Sequence, residues 1–118
     1  MSPGSRPIAL IGLRCAGKSC VGRALARTLG WTFVDLDVAL AELDGRGRSA
    51  GELLAELGEP AFRALEARAL EAALASGTEL VLATGGGAVL RAENRALLAG
   101  RCRCVWLEAP LSVLVTRL

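Results

Sequence analysis

Histidine and tyrosine are absent from this 118-residue sequence, and two Trp and two Phe bring the aromatic residues to only 3%. So few aromatic side chains leave little material for stacking the bases of nucleic acids. Fourteen basic residues against twelve acidic ones give a net charge of +2, with no run of Lys or Arg. Nucleic-acid-binding proteins usually carry a strongly basic patch. The sequence therefore does not indicate nucleic acid as a partner.

Long apolar runs are also missing. No segment approaches the length needed to span a membrane, and the six apolar or Gly residues at 8–13 are too few for a secretory signal. We expect a cytoplasmic monomer with a disordered tail at residues 1–7 and one domain at 8–118. Hydrophobic residues make up 53% of the chain, which is typical of an α/β globular protein.

The four cysteines match no usual zinc-binding spacing, and no histidine is available to complete such a site. Cys102 and Cys104 are predicted to share one face of a strand, because side chains alternate along a strand. We interpret Cys15, Cys20, Cys102 and Cys104 as reduced thiols that act as small hydrophobic side chains. A redox role for Cys15 or Cys20 stays open as an alternative.

Apolar patterns along the chain predict strands alternating with helices. Short β-prone runs predict strands at residues 8–11, 32–36, 80–83 and 103–108. Helical spacing predicts helices at residues 18–29, 38–42, 49–57, 60–74, 90–98 and 110–118. Ser49 and Glu52 form a predicted capping box, and Gly100 is a predicted helix stop. This order indicates a parallel sheet covered by helices on both faces, in three α/β/α layers.

Residues 12–19 fit the phosphate-loop pattern G-x-x-x-x-G-K-[ST]. The backbone N–H groups of such a loop wrap a phosphate, and the helix that follows adds its N-terminal partial positive charge. Lys18 is placed to reach the β- and γ-phosphates, and the Ser19 hydroxyl to ligate Mg²⁺. A Gly-rich turn without a ligand is the weaker reading, because the motif follows a predicted strand and opens a helix.

Asp35 and Asp37 stand at the predicted C-terminal end of the second strand, where open α/β sheets bind their ligands. One carboxylate could hold the water shell of magnesium while the other accepts a proton from an attacking hydroxyl. The structural alternative is an N-cap for the next helix, for which Asp37 is a candidate. The nearby phosphate loop favours the functional interpretation.

Two further features suggest a substrate site. Arg63 begins a predicted helix and could grip a carboxylate with its planar guanidinium, unless it is a surface residue paired with Glu59 or Glu66. The third strand is followed by three consecutive glycines. Three residues without side chains let the backbone approach a ligand closely, so we favour a binding role over a flexible turn.

Taken together and in this order, four segments strongly resemble shikimate kinase. They are the phosphate loop at 12–19, Val-Asp-Leu-Asp at 34–37, Gly-Glu-Pro-Ala-Phe-Arg-Ala-Leu-Glu at 58–66, and Ala-Thr-Gly-Gly-Gly-Ala-Val at 83–89. The resemblance runs from residue 8 to residue 118. It implies a nucleoside-monophosphate-kinase-like fold and transfer of the ATP γ-phosphate to the 3-hydroxyl of shikimate, a step of aromatic amino acid biosynthesis.

The resemblance also implies roles for individual residues. Lys18 and Asp37 would be catalytic, and Ser19 and Asp35 would hold Mg²⁺. ATP would be bound by Gly12, Cys15, Ala16, Gly17, Lys18, Ser19, Cys20 and Arg117. Shikimate would be bound by Asp37, Arg63, Gly85, Gly86 and Gly87. The partners are thus ATP and shikimate, with Mg²⁺ as cofactor.

The sequence departs from the family pattern at several points, and these departures leave alternative functions open. Cys15 stands where the family commonly has Gly, and Cys20 where it has Thr. The family's lid and last strand have no counterpart in the sequence, so we expect a C-terminally truncated kinase domain. The alternatives are a non-catalytic nucleotide- or shikimate-binding module, an inactive fragment, or a related gluconate-type kinase.

Overall fold

The computed structural model describes residues 5–12, 15–84 and 91–107. These residues form the following elements: β1 Ile8–Gly12, α1 Cys15–Leu29, β2 Thr32–Asp35, α2 Leu36–Asp44, α3 Ala50–Leu57, α4 Glu59–Ala75, β3 Leu80–Ala83, α5 Ala92–Arg101 and β4 Arg103–Leu107. Among the described helices, none is both long and apolar enough to cross a membrane. Gly85, Gly86, Gly87, Arg117 and the helix predicted at 110–118 lie outside the described residues.

The four strands form one parallel sheet in the order β2-β3-β1-β4. β3 lies between β1 and β2, with Val81 opposite Ile8 on one side and opposite Phe33 on the other. The predicted parallel sheet is therefore confirmed. The carboxyl ends of its strands meet at one edge, where ligands bind in open α/β sheets.

Alternation along the strands divides the core between the two faces of the sheet. Ala9 and Leu82 pack with the larger cluster, which is completed by helices α2 to α5. Leu10 and Val81 point the other way and pack with Ala26 of α1. The sheet is thus covered on both faces, which confirms the three layers expected from the sequence.

α2 begins two residues earlier than predicted, because Asp35 is its N-cap. The Oδ1 atom of Asp35 accepts hydrogen bonds from the backbone N–H groups of Asp37 at 2.9 Å and Val38 at 3.4 Å. The interpretation of Asp37 as a cap is wrong, since Asp37 lies in the first turn of α2. The helix ends at Gly45, whose φ of 76° is in the left-handed region.

The capping box of α3 is confirmed in both directions. Ser49 Oγ accepts from the backbone N–H of Glu52 at 3.2 Å, and Glu52 Oε1 accepts from the backbone N–H of Ser49 at 3.1 Å. The next helix, α4, follows after Gly58 with Pro60 in its first turn, where a missing N–H costs nothing.

The last described helix and strand depart from the predictions. Gly100 does not stop α5, which continues to Arg101, and the N–H of Cys102 donates to the Leu98 carbonyl. Cys102 therefore precedes β4, and it is buried whereas Cys104 on the strand is exposed. Cys20 is also exposed. Cys20, Cys102 and Cys104 are free thiols, as predicted. Their interpretation as small hydrophobic side chains fits the buried Cys102, whereas Cys20 and Cys104 are exposed.

Gly12→Ala should lower the free energy of unfolding by about 2–4 kcal/mol, because a left-handed φ and a backbone clash act together. Gly12 has a φ of 111°, and an added Cβ would lie 2.4 Å from the carbonyl oxygen of Leu107 in the neighbouring strand. Urea unfolding would measure the change. The matched control is Gly100→Ala, whose new Cβ meets nothing within 4 Å. Gly100→Ala should raise the free energy of unfolding by about 0.5–1 kcal/mol, because alanine is favoured over glycine inside a helix. Similar effects of the two substitutions would contradict the clash.

Candidate active site

The first turns of α1 form a cationic site at the end of β1. Lys18 is only 3% exposed, and its Nζ donates to the carbonyl of Gly12 at 3.5 Å. The first turn of this 15-residue helix carries no acidic residue. The unpaired N–H groups at a helix start and the ammonium of Lys18 both favour an anion here.

The side chain of Ser19 on α1 contacts the residue that ends β2. Its hydroxyl donates to Oδ2 of Asp35 at 3.1 Å, while Oδ1 of the same carboxylate caps α2. Hydroxyl and carboxylate oxygens are ligands that Mg²⁺ accepts, and this ion usually takes one or two protein ligands with phosphates and water completing its shell. The described ranges hold no cluster of three or more acidic, His or Cys side chains that could cage a metal alone. The Ser19–Asp35 pair thus fits magnesium bound together with phosphate.

Asp37 lies half-buried in the first turn of α2, where neighbouring charges act on it in opposite directions. Burial raises the pKa of its carboxyl group above the usual value, and the neighbouring Asp35 raises it further. The ammonium of Lys18 opposes these two effects and lowers the pKa of Asp37. Asp37 therefore lies within electrostatic reach of both the phosphate loop and Asp35, as a carboxylate whose proton affinity is increased by its surroundings.

Across from Asp37, α4 contributes an ion pair. Nη1 of Arg63 donates to Oε1 of Glu66 at 3.1 Å, and Glu66 is 2% exposed. Burial raises the pKa of Glu66, Arg63 lowers it, and the charge of Asp37 raises it again. The charge of Asp37 thus acts on the Arg63–Glu66 pair. Arg63 also pairs with Glu59 and Glu66, the two acidic residues that the sequence offered as partners.

Thr84 fixes the point where the chain leaves β3 toward the three glycines. Its backbone N–H and its hydroxyl both donate to the carbonyl of Leu10, at 3.2 Å and 3.0 Å. The side chain of Thr84 is buried. Thr84 therefore lies beside the end of β1, at the same edge of the sheet as Lys18.

The structure brings Ser19 and Asp35 into contact, with Lys18 and Asp37 near them, and Arg63 lies on α4, which packs against α2. Gly12 ends β1, and the other expected ATP-binding residues in α1 are Cys15, Ala16, Gly17 and Cys20. The roles of all these residues stay predictions at this point.

Sequence reasoning gave Glu66 no role beyond possible pairing. Glu66 follows Phe62 by four residues and so lies on the apolar stripe of α4. An acidic residue on such a stripe is the signal that could have identified it.

A comparison with known families adds independent evidence. Residues 14–118 match the family model of shikimate kinase. This chain belongs to the shikimate kinase family. Members of this family use ATP with Mg²⁺.

Curated shikimate kinases support the assignment over nearly the whole chain. The enzyme of Nitratidesulfovibrio vulgaris is 50% identical over 109 residues, which cover 92% of this chain and 61% of the relative. That of Caulobacter vibrioides is 47% identical over 113 residues, covering 96% and 55%. The chain thus spans a little over half the length of these shikimate kinases.

Solved structures agree in fold. Shikimate kinase from Acinetobacter baumannii in complex with shikimate has a TM-score of 0.83 at 38% identity, covering 97% of this chain and 62% of that one. The enzyme from Bacteroides thetaiotaomicron has a TM-score of 0.84 at 36% identity, covering 98% and 64%. A gluconokinase from Sinorhizobium meliloti matches with a TM-score of 0.63 at 24% identity, covering 98% and 65%. That last likeness shows a shared fold alone.

Proposed function

We propose that this chain transfers the γ-phosphate of ATP to the 3-hydroxyl of shikimate. The observation that carries the proposal is the contact of 3.1 Å between Ser19 and Asp35, which brings the start of α1, with Lys18, to the strand end that is followed by Asp37. A carboxylate beside a phosphate-binding lysine, on a helix that packs against the one bearing a carboxylate-binding arginine, is placed to act on a hydroxyl of an acidic substrate.

The residues have distinct parts in this reaction. Lys18 and the N–H groups at the start of α1 bind and neutralise the phosphates, and Asp37 orients the substrate hydroxyl and accepts its proton. An oxygen–phosphorus bond forms to that hydroxyl while the bond between the γ-phosphorus and ADP breaks. Catalysis here is mainly positioning and charge neutralisation. Magnesium, held by Ser19 and Asp35 when bound, neutralises charge on the phosphate oxygens.

The remaining assignments follow the family. Arg63 binds the shikimate carboxylate, Gly85, Gly86 and Gly87 line the substrate pocket, and Arg117 contacts the adenine side. The Acinetobacter relative is described in complex with shikimate, which supports shikimate as the ligand of this chain. A gluconate-type kinase is not favoured, because the shikimate kinase structures are 36% and 38% identical and the gluconokinase only 24%.

The direct test measures ADP release by the purified 118-residue chain with ATP and Mg²⁺, with shikimate, with gluconate and without either. Release that depends on shikimate alone would support the proposal. ADP release that depends on gluconate would show that gluconate, and not shikimate, is the substrate. ATP binding without any substrate-dependent release would contradict the proposed transfer and leave a binding module.

Asp35→Asn should raise the Mg²⁺ concentration for half-maximal activity by about tenfold, because a neutral amide is a poorer partner for the ion. Asn caps helices about as well as Asp, so the N–H groups of Asp37 and Val38 keep an acceptor. The free energy of unfolding should therefore change by less than about 0.5 kcal/mol. Magnesium titration of the rate and urea unfolding would check both parts. A lost cap with unchanged magnesium dependence would show that Asp35 is only structural.

A further inference from the structure

Arg63 has two acidic neighbours of opposite character. Glu66 is buried, and its Oε1 accepts from Nη1 of Arg63 at 3.1 Å. Glu59 lies one turn earlier in α4, with its Oε1 3.6 Å from Nε of Arg63 and its side chain 68% exposed. Glu66 is therefore a fixed partner, whereas Glu59 is an exposed residue with rotamers open to solvent.

The contact with Glu59 leaves a donor unused. The Nε atom of Arg63 is buried and has no hydrogen-bond partner among the described residues, and 3.6 Å is too long for a hydrogen bond. A buried unsatisfied N–H costs free energy. A guanidinium also binds a carboxylate best through two adjacent N–H groups. The Nε side of Arg63 thus has the charge of Glu59 near it and lacks the hydrogen bond that an incoming carboxylate could supply.

The guanidinium itself is held in place. The central carbon of the Arg63 guanidinium lies 5.4 Å from the centre of the Phe62 ring, a cation–π distance, and Glu66 fixes Nη1 from the other side. The side chain of Arg63 is 17% exposed. Of the groups on this arginine, the Glu59 side chain is the one that can move away without disturbing the core.

From these contacts we infer that Glu59 is an exchangeable partner of Arg63, which the carboxylate of the substrate displaces on binding. Glu59 then weakens substrate binding, because its negative charge lies beside the arginine that the substrate carboxylate must reach. This inference rests on the proposed function, in which Arg63 binds shikimate. Glu59 is a positioning residue that tunes affinity and takes no part in phosphoryl transfer.

Glu59→Gln should tighten shikimate binding by about two- to fivefold, the range expected from losing one exposed charge interaction. Calorimetry on the full 118-residue chain would give the dissociation constant, and the KM for shikimate should fall in parallel with kcat unchanged. Glu59 is exposed, so the substitution is expected to leave the fold intact. The gain should vanish when the methyl ester of shikimate is the ligand, because the ester carries no negative charge.

Glu71→Gln is the matched control. It makes the same charge change on an exposed side chain of α4. Glu71 lies about 18 Å from Glu59 along the helix axis, so salt screens its charge from the substrate carboxylate. Shikimate affinity should stay unchanged in this variant. Unchanged or weaker binding by Glu59→Gln, or equal gains for acid and ester, would overturn the inference alone. Absence of shikimate binding by the unmodified chain would overturn the proposed function and this inference with it.

Discussion

Lys18→Met should reduce kcat/KM for phosphoryl transfer by about 10²–10³-fold or more, because it removes a preorganised charge from the transferring phosphate. Met has nearly the length of Lys and no charge, so it can fill the space that the buried Lys18 side chain occupies. Steady-state rates with varied ATP would measure the loss. Arg27→Met, which removes a cation from the exposed far end of α1, should leave these rates nearly unchanged.

The same substitution should leave the free energy of unfolding unchanged or raise it. Lys18 is 3% exposed, and its Nζ makes a long hydrogen bond of 3.5 Å to Gly12. An ammonium in such surroundings costs desolvation free energy. A variant that loses activity without losing stability would show that this lysine is retained for binding phosphate. Full activity in Lys18→Met would refute the phosphate-loop interpretation.

Asp37→Asn should lower kcat by about 10²–10⁴-fold, the range for removing a general base. The affinity for ATP should stay nearly constant, since the first turn of α1 is untouched. Single-turnover kinetics and nucleotide titration would separate the two quantities. Asp44→Asn, at the other end of the same helix and paired with Arg46, serves as the control. Equal losses of transfer and ATP binding in Asp37→Asn would exclude a role as base.

The pH dependence gives a second readout of Asp37. A base works only when ionised, and burial together with Asp35 raises its pKa. The acid limb of kcat/KM should therefore have its midpoint above the usual range of an aspartate, with activity rising as pH rises through it. Lys18→Met should move that midpoint further up, because the ammonium lowers the pKa of Asp37.

Local sequence signals predicted most of the fold, because they act within a few residues. The phosphate-loop pattern, the capping box of Ser49 and the apolar runs of the strands are all of this kind. The N-cap of α2 could not be predicted in this way, since Asp35 and Asp37 are the same residue type and equally suited to the position. It depends on Asp35 belonging to the strand end, where its second oxygen also meets Ser19 from a distant part of the chain.

Other features depend on packing that no short window contains. Gly100 looked like a helix stop, yet α5 continues until the Leu98 carbonyl receives the N–H of Cys102. Glu66 is buried where α4 packs against α2 and α3, with the guanidinium of Arg63 as its partner. The candidate site was thus predictable in its residue types, while the electrostatic coupling among Asp37, Glu66 and Lys18 was visible only in three dimensions.

The place of β3 has a consequence for the order in which the chain can fold. β1 and β2 come first from the ribosome, but neither is the other's neighbour, because β3 separates them. Helices α2, α3 and α4 can associate earlier, since they contact one another. Both early strands must wait for the synthesis of Leu80–Ala83 before they gain the strand with which they both pair. Emergence of these four buried residues lets three adjacent strands pair at once, which shortens the time during which unpaired strand edges can aggregate, and the remaining edge of β1 is paired when β4 follows.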